Sequence, residues 1–200
     1  QCETADIPPS SSDTNRTRER PSLIITGASM GCGTALFQAL AHPDAIAKLV
    51  LVIPSTAWEH RPARKEGYIA TANSIRDNGT GFILRAAARA RPPAPLAESE
   101  EDVAAFRRDR LSTLSAWDDE RLERVFRGAA ASDFPSREEC GSIDIPCLIL
   151  AWSDDALHPT ATAEELHRLM PHSSLNIAST HEEWLAWPSL VAAFLSGRGI

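Results

Sequence analysis

Residues 23–33 read Leu23-Ile24-Ile25-Thr26-Gly27-Ala28-Ser29-Met30-Gly31-Cys32-Gly33. A short apolar run of β type gives way to a turn, and the turn to an alanine-rich helical pattern. Inside the turn, Ser29 has a glycine at each second neighbour. That arrangement has a mechanical meaning. A turn this sharp between strand and helix leaves no room for side chains near the serine, and it holds the serine in a strained backbone with its oxygen pointing out at the strand end. The backbone N–H of Met30 then faces an oxyanion developing at the helix start. Ser29 is the candidate nucleophile, Met30 N–H the oxyanion donor, and Gly27 and Gly31 the glycines of the elbow.

A serine hydroxyl needs a base, most often a histidine that a carboxylate orients. Six histidines are available. His42 sits before Pro43 at a helix end, where it caps carbonyls. His60 lies in a charged stretch, His167 on a helix, and His172 in the loop after it. His181 follows a strand-like run at 174–177 and precedes the C-terminal helix. A loop just past a strand is where a catalytic base belongs, so His181 is the expected base. The run 146–152 has a buried-strand pattern and ends in Ser153-Asp154-Asp155-Ala156-Leu157-His158-Pro159. Its two adjacent aspartates are placed to orient an imidazole, though Asp is favoured in turns regardless. His158, near Asp155 in sequence, reads as a pocket-lining residue.

Three segments together resemble the α/β-hydrolase superfamily in its cap-bearing branch. GASMG resembles the nucleophile elbow. The segment LILAWSDDALHP at 148–159 resembles the family's Gly-x-x-Asp-x-x-x-Pro, with Trp152 at the glycine, Asp155 at the aspartate and Pro159 at the proline. This alignment makes Asp155 rather than Asp154 the acid. The histidine segment carries Pro188 seven residues after His181, as the family commonly does. The order Ser29, Asp155, His181 is the nucleophile, acid, base order of that fold. The resemblance spans roughly residues 22–196 and implies a catalytic triad that uses no metal or organic cofactor. The serine-methionine-glycine elbow is common among esterases, C–C bond hydrolases, enol-lactone hydrolases and perhydrolases of this branch. Trp152, Ala156 and Thr180 depart from the family's usual residues.

The resemblance also sets expectations for architecture: a partial α/β-hydrolase fold, with a mostly parallel sheet of about four strands (23–26, 49–53, 147–151 and 174–177) and helices on both faces. In the family, four strands and two helices precede the elbow. Here the residues before Leu23 are rich in proline, serine and charge, and 1–21 read as a disordered or linker segment. The family's early segment also supplies a second oxyanion donor from a His-Gly or Gly-Gly loop, and none precedes Ser29. Loss of one such donor reduces turnover by roughly 10²–10³. The first strand becomes an open apolar edge, a surface for self-association.

The core is expected over 22–57 and 141–200, interrupted at 58–140 by a helical cap insertion broken by Pro92, Pro93 and Pro95. Trp58, Tyr68, Phe82, Phe106, Trp117 and Phe126 are available to line a pocket there, although most such residues pack cap against core.

The 200 residues suffice for one domain with a sizeable core, and 43% hydrophobic content excludes wholesale disorder. A net charge of −7, with basic residues scattered, argues against nucleic acid. No apolar run approaches the roughly 18 residues of a membrane helix. Four cysteines without metal-ligand spacing suit a reducing compartment, hence the cytoplasm. The GASMGCG turn lacks the Gly-Lys-Ser/Thr of a nucleotide loop. Two functions follow. One is a serine hydrolase acting on a small ester, thioester, lactone or similar activated carbonyl. The other is a truncated or degenerate hydrolase-fold protein with a binding role.

Overall fold

A computed structural model of the chain describes residues 23–197; the expected linker over 1–21 lies outside them. Four parallel strands form one sheet in the order β1-β2-β3-β4: β1 Leu23–Ala28, β2 Ile46–Val52, β3 Cys147–Trp152 and β4 Ser173–Ala178. Parallel neighbours need crossovers. The first is α1 (Gly31–Ala41) and the last is α7 (Thr160–Leu169). The strands are longer than their apolar runs suggest. β2 begins at Ile46 because that residue is in register with Leu23, and it ends at Val52 because Ile53 turns to φ 46°.

The alternation of side chains along a strand divides the core into two layers. Leu49 and Leu51 of β2, with Cys147, Ile149 and Ala151 of β3, face Leu36 of α1, Leu166 of α7 and Cys140 of α6 (Arg137–Gly141). Leu148 and Leu150 point the other way, against Trp187, Leu190 and Phe194 of α9 (Trp187–Ser196). Helices therefore cover both faces, and β3 is buried on each side. Among the described residues β1 pairs with β2 alone, and Leu23 and Ile24 remain 53% and 50% exposed.

Between β2 and β3 the main helices are α2 (Arg61–Asn78), α3 (Gly81–Ala87), α4 (Glu100–Ser115) and α5 (Asp119–Ala131), with α6 closing the segment. Their starts and stops follow local chemistry. Ser99 and Asp118 accept the N–H of Asp102 and Arg121 as N-caps of α4 and α5, and Gly79 at φ 71° ends α2. Ile75, Ile83 and Leu122 form a small apolar centre with Phe82, Trp117 and Phe126 packed on it. Those three aromatics thus stabilise the helical segment itself. Trp58 packs on the main core, edge-on to Phe134. Among the described residues, no helix is long and apolar enough to cross a membrane. Between β4 and α9 lies the short α8 (His181–Leu185).

Candidate active site

The site is built at the carboxyl ends of β1 and β3, where ligands bind in open α/β sheets. Ser29 follows β1 in the left-handed region at φ 54°, a conformation that costs a non-glycine residue on the order of 1–3 kcal/mol. Its backbone N–H is tied to Val52 O at 3.0 Å, and its carbonyl accepts from Cys32 N–H at 3.1 Å. These bonds over-determine the strained turn. Gly27 is indispensable to it, because an added Cβ would stand 2.3 Å from Gly31 O. Gly31 differs from its expected role: a Cβ there meets no atom within 4 Å among the described residues, so it clears no steric obstacle. Met30 N–H donates to no backbone or side-chain acceptor among the described residues and stands at the start of α1.

The partner of Ser29 is His158. Ser29 Oγ lies 2.8 Å from His158 Nε2, and His158 Nδ1 lies 2.7 Å from Asp155 Oδ2. The carboxylate fixes the tautomer: Nδ1–H donates to Asp155, which leaves the Nε2 lone pair to accept the serine O–H. Asp155 Oδ2 also accepts from Trp152 Nε1–H at 3.0 Å, and Oδ1 accepts from Leu157 N–H at 2.8 Å. Burial pushes the Asp155 carboxyl up. The hydrogen bond and charge of His158, together with the Leu157 and Trp152 donors, outweigh it and hold the pKa down at about 2. Trp152 occupies the acid segment's glycine position, and its indole N–H gives it a part in the site that the departure from pattern did not foretell.

His181, the expected base, is engaged elsewhere. Thr180 and Glu183 form a capping box, which makes His181 the first residue of α8. Its N–H donates to Glu98 Oε1 at 2.7 Å, its Nδ1 lies 3.1 Å from Pro95 O, and its ring meets Trp184 edge-on. So the structure brings Ser29 and Asp155 together through His158, with His181 bonded to the segment between α3 and α4. The signal for His158 was present in the sequence: an imidazole three residues after Asp155, in a turn closed by Pro159.

A cleft of about 980 Å³ opens beside this pair, lined by Asp155, His158, Trp152, Phe106, Pro93 and Arg110 among others; Ser29 adjoins it through His158 rather than lining it. Arg91 pairs with Asp154 on its rim at 3.7 Å. Cys32, Cys140 and Cys147 are free and buried, and burial raises each thiol, Cys32 and Cys140 to about 12. Among the described residues, no group of three or more His, Cys, Asp or Glu side chains is placed to hold a metal ion.

Comparison with solved structures identifies the architecture. MenH from S. aureus superposes with a TM-score of 0.68 at 21% identity, over 88% of this chain and 69% of that one. The enol-lactonase from Burkholderia xenovorans LB400 gives 0.68 at 22%, over 88% and 66%. MGS-M2, an alpha/beta hydrolase enzyme from a Medee basin deep-sea metagenome library, gives 0.64 at 18%, over 90% and 66%. The chain has the α/β-hydrolase fold, and it spans about two thirds of the length of these three chains. No protein-family model matches the sequence.

Proposed function

We propose that the protein is a serine hydrolase acting on a small ester, thioester, lactone or similarly activated carbonyl. The observation that carries the reading is the continuous relay Ser29 Oγ, His158 Nε2, His158 Nδ1, Asp155 Oδ2, with links of 2.8 and 2.7 Å. In this reading His158 accepts the proton as Ser29 attacks the carbonyl carbon, and Met30 N–H stabilises the oxyanion. His158 then returns the proton to the leaving group. Water, activated by the same imidazole, hydrolyses the acyl-enzyme. Asp155 keeps the imidazole in the tautomer that can accept. The chemistry draws on no metal or organic cofactor.

The similarity to an enol-lactonase supports the lactone and ester end of the range. The helical segment over 58–140 acts as a cap whose Phe106 helps shape the substrate cleft. Buried free thiols support a cytoplasmic location. The exposure of Leu23 and Ile24 on β1, which pairs with β2 alone among the described residues, supports self-association through that edge.

A fluorophosphonate probe should label the wild type at Ser29, located by peptide mass spectrometry, and should leave Ser29→Ala unlabelled. Equal labelling of both refutes the assignment. The second reading, a binding role on this fold without turnover, draws on the chain's spanning only about two thirds of those hydrolase-fold chains. It requires no labelling and no hydrolysis of p-nitrophenyl acetate.

A further inference from the structure

Arg61 is 4% exposed, yet its guanidinium has no carboxylate among its partners in the described residues. Nε–H donates to Ser132 O at 2.9 Å, Nη1–H to Thr56 O at 3.1 Å, and Nη2–H to Ala129 O at 2.7 Å and Ser132 Oγ at 3.2 Å. Tyr68 offers its ring face at 5.4 Å. Buried charges are ordinarily paired, and an apolar residue of similar volume often serves stability as well or better. A planar fork of donors does what an apolar residue cannot: it fixes several chain segments at once.

The segments it fixes lead to the site from two sides. On one side, Nη2 and Ser132 Oγ each lie 3.8 Å from Met30 Sδ, the side chain of the residue whose N–H faces the reaction. On the other side, Thr56 is held by its carbonyl while its N–H and Oγ1–H both donate to Leu157 O at 3.2 Å. Leu157 N–H in turn donates to Asp155 Oδ1, and His158 N–H to Asp155 O at 3.3 Å. One guanidinium therefore touches the elbow directly and braces the turn that carries both acid and base.

We infer that Arg61 is a positioning residue, holding Met30 and the turn 155–158 in one register so that Ser29, the Met30 N–H and His158 converge. Its effect on rate rests on the hydrolase reading; its effect on the His158–Asp155 bond does not. A displacement of about 1 Å at a reacting centre lowers turnover by roughly 10².

The test compares wild type, Arg61→Met and Arg61→Lys as full chains whose fold is checked by circular dichroism. The first readout is the low-field proton resonance of His158 Nδ1–H, assigned by its loss in His158→Asn. It should shift upfield or broaden away in both Arg61 variants. The second is kcat on p-nitrophenyl acetate per Ser29 titrated with fluorophosphonate. It should fall about 10²-fold in Arg61→Met with KM within about twofold, and Arg61→Lys should recover at most about tenfold. A merely structural arginine would lower the melting temperature and the titrated fraction while leaving kcat per site and the resonance unmoved, and that result overturns the inference. If the wild type shows no turnover, the hydrolase reading fails and the resonance alone decides. If Arg61→Met does not fold, Thr56→Val decides, since it cuts one bond of the same chain and leaves the charge in place. It should lower kcat roughly threefold to tenfold at unchanged KM, and an unchanged kcat rejects the inference.

Discussion

Two histidines, His158 and His181, compete for the role of base, and truncating each to alanine separates them. His158 Nε2 stands 2.8 Å from Ser29 Oγ, inside the roughly 2.6–3.2 Å reach of a general base. His158→Ala removes that base, which is worth about 10²–10⁴ in rate, or roughly 3–5 kcal/mol of transition-state stabilisation. The fold should survive, because Asp155 keeps its bonds from Trp152 Nε1–H and Leu157 N–H and is not left bare. His181→Ala gives up the Pro95 hydrogen bond and the Trp184 contact, so it should lower stability by about 1 kcal/mol and leave the rate within about twofold. The assay is the second-order rate of fluorophosphonate labelling, with Ser29→Ala as blank and melting curves alongside. Wild-type labelling by His158→Ala, with labelling lost in a folded His181→Ala, refutes the reasoning and returns the base to the end of β4.

Asp155 has a pH signature. Its pKa in the folded chain is about 2, below the ordinary carboxylate value, so its contribution is complete above pH 4 and is lost as the pH falls from about 4 toward 2. That lowering corresponds to about 2 kcal/mol for a side chain 15% exposed. In urea unfolding, the stability gap between wild type and Asp155→Asn should narrow over that window; a constant gap contradicts it. Gly27→Ala should fail to fold or lose several kcal/mol, because its Cβ would overlap Gly31 O, whereas Gly31→Ala should be neutral or stabilising by about 0.4–1 kcal/mol in the same experiment. Thr180→Ala removes a capping oxygen from α8 and should lower stability by about 1 kcal/mol with no change in labelling rate.

The sheet was legible because β3 is buried on both faces and therefore reads as an unbroken apolar run. The elbow was legible because its glycine and its strand-to-helix context are local. The histidine that meets Ser29 was not legible from position alone. A rule that places it after the last strand depends on how a loop runs through space, and Thr180-His181-Glu182-Glu183 carries a capping signature that commits His181 to a helix start. That signature, read together with the spacing from Asp155 to His158, would have favoured His158 as the imidazole that meets Ser29. Arg61 was invisible for a different reason: nothing in the charged stretch Glu59 to Glu66 marks Arg61 rather than Arg64 as the buried arginine.

Asp155 and His158 are three residues apart in a single turn. In the proposed mechanism the orienting group and the proton acceptor therefore travel as a cassette, and their mutual alignment survives any drift of that turn as a rigid piece. The proposed mechanism asks no chemistry of the connection after β4, where His181 is bonded to Glu98 and Pro95, while sequence changes within the cassette act on both of its members at once.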